Sequence, residues 1–188
     1  MRRFILLLAA MSAALVVVVS GVALAKIVEG TNHDDVLRGT KRADVIKAYR
    51  GDDWLYGKDG ADWLRGGRGH DRLLGENGND AHSGGPGPDL LYGGPNPPTN
   101  NPDNYELLEG NSGKDKLYGE EGPDQMFGDG GSDLLNGGRG HDLFLAEENE
   151  SVGTPDTVNC GRSHDTVFAN KNDNVADNCE TVFRSPNP

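Results

Sequence analysis

The chain has 188 residues, of which 35% are hydrophobic and 6% aromatic, and it contains 28 glycines and 10 prolines. This composition excludes a large conventional core and leaves either disorder or a regular repeat whose core is one residue wide. The formal net charge of -12, from 30 acidic and 18 basic residues, argues against nucleic acid and anionic membranes as partners and favours cations.

The N-terminus has the pattern of a secretory signal peptide. Two arginines precede an almost wholly apolar run over residues 4–19, and residues 23–25 form an A-x-A cleavage site. We therefore expect residues 1–25 to be removed during export, so that the mature chain begins at Lys26. The alternative is an uncleaved membrane anchor, for which the apolar run is just long enough.

A nine-residue unit begins at Gly30 and recurs along most of the chain. With one exception at each position, the units have glycine first, aspartate sixth and a large apolar residue eighth, and most have glycine fourth. The sixth-position aspartates are Asp35, Asp44, Asp53, Asp62, Asp71, Asp80 and Asp89, followed by Asp115, Asp124, Asp133 and Asp142. A disordered linker would not hold its apolar residues in phase with its aspartates, so the period predicts an ordered repeat fold.

The local physics divides each unit into a turn and a short strand. Glycine tolerates the backbone conformations of tight turns, and the last residues of each unit alternate in the manner of a strand, with the eighth side chain inward. A short strand is unstable alone, so the units must stack. Two units then form one coil, with a strand on each side and a turn at each end, in an all-β solenoid.

Two features interrupt the regular pattern. An insertion rich in proline and asparagine stretches the eighth unit near residues 95–105, and we expect it to form a loop bulging from a regular body. His82 occupies an inward apolar position, where we expect a tolerated defect of the core rather than a ligand.

Residues 146–188 are expected to cap the stack. The sequence Asp-Thr-Val occurs at residues 156–158 and 165–167, which preserves the nine-residue spacing although most glycines are gone. Cys160 and Cys179 lie one residue more than a full coil apart, so we expect them to form a disulfide. The alternative is a ragged tail with free thiols.

The units GGRGHDRLL, GENGNDAHS, GDGGSDLLN and GGRGHDLFL resemble the RTX (haemolysin-type) calcium-binding nonapeptide, G-G-x-G-x-D-x-U-x. The resemblance extends over residues 30–145. It implies a right-handed parallel β-roll (β-solenoid) with two nine-residue repeats per coil. In that family, calcium lies between turns stacked on the same edge, bound by the sixth-position carboxylate and by backbone carbonyls, which suits a cation that takes six to eight oxygen ligands.

The resemblance implies two columns of calcium ligands. One edge would stack Asp53, Asp71, Asp89, Asp115 and Asp133, and the other Asp44, Asp62, Asp80, Asp124 and Asp142. The third-position residues Asp59 and Asn77 are expected to add side-chain oxygens.

Some turns are expected to be poor calcium sites. The first two units have His33 and Arg42 at the fourth position, where the family has glycine, so Asp35 and Asp44 are either ligands or only turn formers. In the stretched unit Glu106 takes the sixth position, and we do not expect calcium to bind there.

The sequence contains no H-E-x-x-H motif and no G-x-S-x-G motif. Residues 163–165 read Ser-His-Asp, but adjacent residues cannot converge as a catalytic triad does. We therefore expect no catalytic residues, and the resemblance implies an exported calcium-binding roll that folds on reaching Ca2+. It would act outside the cell or at its surface as a structural or interaction module, with cell-surface or matrix partners, without nucleic acid and without a membrane after signal cleavage. The alternative is a small secreted hydrolase or polysaccharide-modifying enzyme that uses a surface of the roll.

Overall fold

A computed structural model describes residues 25–96, 105–146 and 154–185. Residues 1–24, where we expect the signal peptide, and residues 97–104, 147–153 and 186–188 lie outside these ranges. Within them the chain forms β-strands and no helix, so no helix that could span a membrane is present there. The strands are β1 (Lys26–Glu29), β2 (Val36–Arg38), β3 (Asp44–Arg50), β4 (Trp54–Asp59), β5 (Trp63–Arg68), β6 (Arg72–Asn77), β7 (Ala81–Pro86), β8 (Leu90–Pro95), β9 (Glu106–Gly113), β10 (Lys116–Glu121), β11 (Asp124–Phe127), β12 (Gly130–Gly131), β13 (Leu134–Arg139), β14 (Leu143–Ala146), β15 (Thr157–Arg162), β16 (Thr166–Ala169), β17 (Asn174–Val175) and β18 (Thr181–Arg184).

The strands form two parallel sheets. One has the order β1-β3-β5-β7-β9-β11-β14-β16-β18, with β12 paired to β9, and the other has the order β17-β15-β13-β10-β8-β6-β4-β2. Leu55 pairs with Leu73, and Ile46 with Leu64, so paired residues are eighteen positions apart. The expected parallel β-roll with two nine-residue units per coil is therefore confirmed.

The core is a column of eighth-position side chains between the two sheets. These side chains are fully buried: Ile46, Leu55, Leu64, Leu73, Leu91, Leu108, Leu117, Met126, Leu135, Phe144, Val158 and Val167. The first position of each unit also faces inward, and it holds glycine or a small residue such as Ala48 or Ala169. The interior is thus about one large side chain wide, as the composition requires.

His82 lies inside this column. Its neighbours in register are Leu64 and Leu108, its side chain is 1% exposed, and neither ring nitrogen has a hydrogen-bond partner among the described residues. Burial lowers the pKa of the imidazole to about 3, so the ring is neutral at ordinary pH. The structure thus places His82 in the core, where its unpaired nitrogens weaken the roll.

The insertion does not disturb the coil register. His82 pairs with Leu108 across it, and on the opposite sheet Leu91 pairs with Leu117. The strands on both sides of the insertion therefore keep the register of the regular coils.

The tail continues the roll. β15 and β17 extend one sheet, while β16 and β18 extend the other. The predicted disulfide between Cys160 and Cys179 is present, with Cα atoms 5.2 Å apart.

Candidate metal centre

The sixth-position aspartates form two ladders, one along each edge of the roll. In eleven of them the backbone N–H donates to Oδ1 of the aspartate one coil further on, at donor–acceptor distances between 2.7 Å and 3.1 Å. The first edge runs through Asp35, Asp53, Asp71, Asp89, Asp115, Asp133, Asp156 and Asp173. The second edge runs through Asp44, Asp62 and Asp80, and then through Asp124, Asp142 and Asp165. The structure thus stacks the aspartates in the two columns expected from the sequence.

The second carboxylate oxygen is buried and has no donor at most turns. Among the described residues, this Oδ2 atom accepts no hydrogen bond in Asp53, Asp62, Asp71, Asp80, Asp89, Asp115, Asp124, Asp142 and Asp165. A buried carboxylate oxygen without a partner is costly. A cation placed beside it would remove that cost, so these residues fit a bound metal ion.

Burial raises the pKa of these carboxyl groups. The pKa rises to about 8 for Asp89 and Asp124 and to about 7 for Asp80 and Asp142. Desolvation is the largest cause, neighbouring carboxylates add to it, and the backbone N–H bond to Oδ1 opposes it. Ionising each ladder without a cation is therefore unfavourable, and a divalent ion between the carboxylates would offset the cost.

The turn backbone adds a second set of oxygens. Gly69 and Gly87 occupy the fourth position of successive first-edge turns, with φ of 140° and 136°. The carbonyl oxygen of each fourth-position glycine points at the fourth-position glycine of the next turn, as Gly51 does at Gly69 and Gly69 at Gly87. Because these carbonyls are stacked along the edge, they can contribute ligands beside the carboxylates.

These carbonyls are needed for a complete ligand set. In the part of the chain that the structure describes, no three His, Cys, Asp or Glu side chains converge as a metal centre would require. A site on this roll must therefore combine carboxylate oxygens with backbone oxygens, which is a ligand set that Ca2+ accepts.

In the first two turns, a threonine of the same turn donates hydrogen bonds to Oδ2 of the sixth-position aspartate. The backbone N–H and the hydroxyl of Thr31 donate to Oδ2 of Asp35 at 2.6 Å and 2.9 Å. Thr40 makes the same pair of bonds to Asp44, at 2.5 Å and 2.9 Å. Neither threonine adopts a positive φ, whereas Tyr49 at the equivalent position of the next turn has φ of 84°. This geometry favours the interpretation of Asp35 and Asp44 as turn formers.

The tail contains a further turn that could bind an ion and that the sequence did not predict. We call a turn ion-compatible when Oδ2 of its sixth-position aspartate is buried without a donor. Gly161 and Ser163 take the second and fourth positions with φ of 98° and 108°, and Oδ2 of Asp165 is buried without a donor. Serine in place of the fourth glycine hid this turn, although the spacing of the Asp-Thr-Val segments pointed to it. Ser163, His164 and Asp165 are therefore three successive residues of a repeat turn.

The ladders close locally at the C-terminal end. The backbone N–H of Asn170 donates to Oδ2 of Asp173 at 2.6 Å on the first edge. On the second edge, the N–H of Asp165 donates to Oε2 of Glu180 at 3.0 Å. Asp173, like Asp35 and Asp44 at the other end, is thus satisfied by its own turn.

The two third-position residues lie on the surface of the second edge. Asn77 Nδ2 donates to Asp59 Oδ1 at 3.0 Å, and Lys41 Nζ lies 3.5 Å from Asp59 Oδ2. The bond from Asn77 and the charge of Lys41 lower the pKa of the Asp59 carboxyl. Both side chains therefore contact each other, and a ligand role for them remains a prediction.

Glu106 breaks the second ladder. Its side chain is fully buried at the sixth position of the stretched unit, and burial, reinforced by Asp124 and Asp80, raises its pKa to about 11. The longer side chain brings Oε2 into the space beside Gly93, where the other turns place an aspartate Oδ2.

A search of curated proteins found no match to this chain. The model of the RTX calcium-binding nonapeptide repeat, which represents four copies of the repeat, matches residues 29–64, 56–91 and 109–144. Together these matches cover more than half of the chain and contain most of the aspartate ladder. This repeat is a non-catalytic calcium-binding structural module. With its glycine-rich turns and stacked sixth-position aspartates, the chain belongs to the RTX calcium-binding nonapeptide repeat family.

Proposed function

We propose that this protein is an exported β-roll that folds as it binds Ca2+ and then serves as a structural or interaction module at the cell surface or in the surrounding matrix. The observation that carries the proposal is the row of buried Oδ2 atoms without hydrogen-bond donors along both edges, of which those of Asp71, Asp89 and Asp124 are examples.

The ligands would come from stacked turns. We propose that each ion joins two turns one coil apart, with carboxylate oxygens and fourth-position carbonyls around it. On the first edge the carboxylates would be those of Asp53, Asp71, Asp89, Asp115 and Asp133, continued by Asp156. On the second edge they would be those of Asp62, Asp80, Asp124 and Asp142, continued by Asp165, with Asp59 and Asn77 adding oxygens at the surface.

Folding and ion binding are then coupled. The core is one side chain wide, so it buries less apolar surface than the core of a conventional domain. The ionised carboxylates of each ladder also repel one another. A metal that binds only the folded state contributes its binding free energy to folding. Extracellular calcium modules work at about 10⁻⁴–10⁻³ M, so the roll would remain unfolded where calcium is scarce and fold once outside.

Two features support export. Residues 1–25 have the composition of a signal peptide. The disulfide between Cys160 and Cys179 fits an oxidising compartment. We accordingly assign residues 26–145 to the calcium-binding roll and residues 146–188 to a capping segment.

Equilibrium dialysis of the mature chain, residues 26–188, tests the proposal. We expect several calcium ions per chain to bind with dissociation constants at or below about 10⁻³ M. Magnesium at the same concentration is the control and should bind poorly, because it demands a small octahedral site. A chain that bound no calcium at about 10 mM, well above the range of extracellular modules, would contradict the proposal.

The enzymatic alternative has no supporting observation in the described residues. An open hollow of about 800 Å³ includes Glu120, Glu121 and Arg139 in its lining. Glu121 is paired there with Arg139 at 2.8 Å, and both glutamates belong to a repeat turn. The hollow therefore offers no separate pair of convergent acids for hydrolysis.

A further inference from the structure

The stretched unit carries Asn96 at the fourth position, where most turns have glycine. Its backbone N–H donates to the carbonyl oxygen of Glu121 at 3.0 Å. Fourth-position glycines make the same bond to the next coil, as Gly87 does to Ser112 at 2.8 Å. Asn96 therefore occupies the normal place of a turn residue, and the insertion begins after it.

The side-chain amide of Asn96 makes more hydrogen bonds in one of its two orientations. In that orientation its nitrogen donates to Oε1 of Glu106 at 2.8 Å and to the carbonyl oxygen of Gly78. The reversed amide would direct an oxygen at these two acceptors, so the assignment follows from the hydrogen bonds. In the reversed orientation the amide nitrogen donates instead to Oδ1 of Asp124, in the next turn, at 3.5 Å.

Those two acceptors are the groups that a cation would join elsewhere. Gly78 supplies the fourth-position carbonyl of the preceding turn, and Glu106 supplies the sixth-position carboxyl group of the stretched unit. At ordinary turns, as at Asp80 and Asp142, Oδ1 accepts a backbone N–H and Oδ2 has no donor. At the stretched unit Oε2 of Glu106 also has no donor, whereas Oε1 accepts the N–H of the Asn96 side chain. Among the turns that the structure describes, only the stretched unit has a side-chain N–H that bonds the sixth-position carboxyl group and the fourth-position carbonyl together.

The other side of the same amide resembles an ordinary turn. A Cβ at Gly122 would meet the side chain of Asn96, whereas a Cβ at Gly140 would meet the carbonyl oxygen of Gly122. The Asn96 amide thus takes the place of a fourth-position carbonyl towards the next coil. The amide can therefore stand in for a cation only on the side that faces Gly78, where its nitrogen donates.

We propose that the amide nitrogen of Asn96 substitutes for a calcium ion between the turn of Gly78 and the stretched unit. The second edge then crosses the insertion without a metal at that point, while the first edge has a donor-free Oδ2 on both sides of the insertion, in Asp89 and Asp115. This inference rests on the proposed calcium binding and assigns one position at which the chain provides its own replacement for the ion.

Asn96→Asp tests the substitution because it exchanges the N–H donor for an oxygen of the same size. Native mass spectrometry of the mature chain, folded in saturating calcium, should show one more bound calcium for N96D than for the wild type. Asn136→Asp is the matched control, since Asn136 is a half-buried residue of strand β13 away from the turns, and its count should equal that of the wild type. An equal count for N96D and the wild type would overturn the proposal.

A second measurement uses the wild-type chain and does not depend on folding of the variant. In crystals grown with calcium, anomalous difference density should appear between the turns of Asp62 and Asp80 and be absent between the Gly78 carbonyl and Glu106. Density at the second position would overturn this inference while leaving calcium binding intact. Absence of density at every turn would contradict the proposed function itself, and this inference with it.

Discussion

Replacing Gly87 with alanine is expected to prevent stable folding of the roll even in saturating calcium. Gly87 has φ of 136°, a region that costs an L-residue about 1–3 kcal/mol. A Cβ there would also overlap the carbonyl oxygen of Gly69 in the preceding turn. Since that carbonyl is held by the coil stack, the turn would have to open, and we expect a loss of more than about 3 kcal/mol for strain and lost packing together. Thermal unfolding followed by circular dichroism would measure it.

Gly130→Ala is the matched control for this substitution. Gly130 lies at the third position of its turn, and an added Cβ would meet only the carbonyl oxygen of Asn111, at an ordinary contact distance of 3.7 Å. We expect a change of less than about 1 kcal/mol. Equal destabilisation by G87A and G130A would show that stacked fourth-position carbonyls do not determine the turn geometry.

Asp89→Asn should weaken calcium binding with little change in shape. Asparagine retains an oxygen that can accept the N–H of Asp71, the bond that Oδ1 of Asp89 now makes at 2.8 Å. It lacks the negative charge, and its second polar atom is a donor facing a space where we propose a cation. We expect the calcium midpoint for folding to rise about tenfold, which corresponds to about 1.4 kcal/mol, with ions lost next to Asp89 on the first edge and none on the second. A calcium titration of both proteins by circular dichroism would measure the midpoints.

Asp35→Asn is the control for loss of charge at a sixth position. Oδ2 of Asp35 already accepts two hydrogen bonds from Thr31, and asparagine can cap the same backbone N–H. The calcium midpoint of D35N should therefore stay within a factor of two of the wild type, about 0.4 kcal/mol. A tenfold shift in D35N would mean that the first turn also binds an ion that matters for folding.

The nine-residue period predicted the coil because large apolar residues recur at the position where the strand faces inward, and glycines recur where the turns need them. Leu55 and Leu73 face inward one coil apart, and a shift of one residue would expose both. Cys160 and Cys179 followed from the same arithmetic, since a spacing near one coil places two residues on adjacent turns. The repeat pattern predicted that His82 lies in the core because it is the eighth residue of its unit, where side chains face inward.

The local differences between turns could not be predicted because they depend on backbone conformation. Ser163 adopts φ of 108° in place of a glycine, which residue type alone would not suggest. The bonds from Thr31 and Thr40 to their aspartates require a turn without positive φ at the second position, which the repeat pattern does not reveal. The sequence pattern assigned Asn96 to the insertion, whereas its backbone bond to Glu121 and its side-chain contacts with Gly78 and Glu106 show that it belongs to the turn.

Far-ultraviolet circular dichroism of the mature chain during a calcium titration tests most directly whether ion binding and folding are one event. We predict a disordered spectrum in the presence of a chelator, a cooperative gain of β signal as calcium rises through about 10⁻⁴–10⁻³ M, and full reversal when the chelator is added back. A β spectrum that is already complete without calcium, or no gain of β signal at about 10 mM, well above that range, would contradict the account.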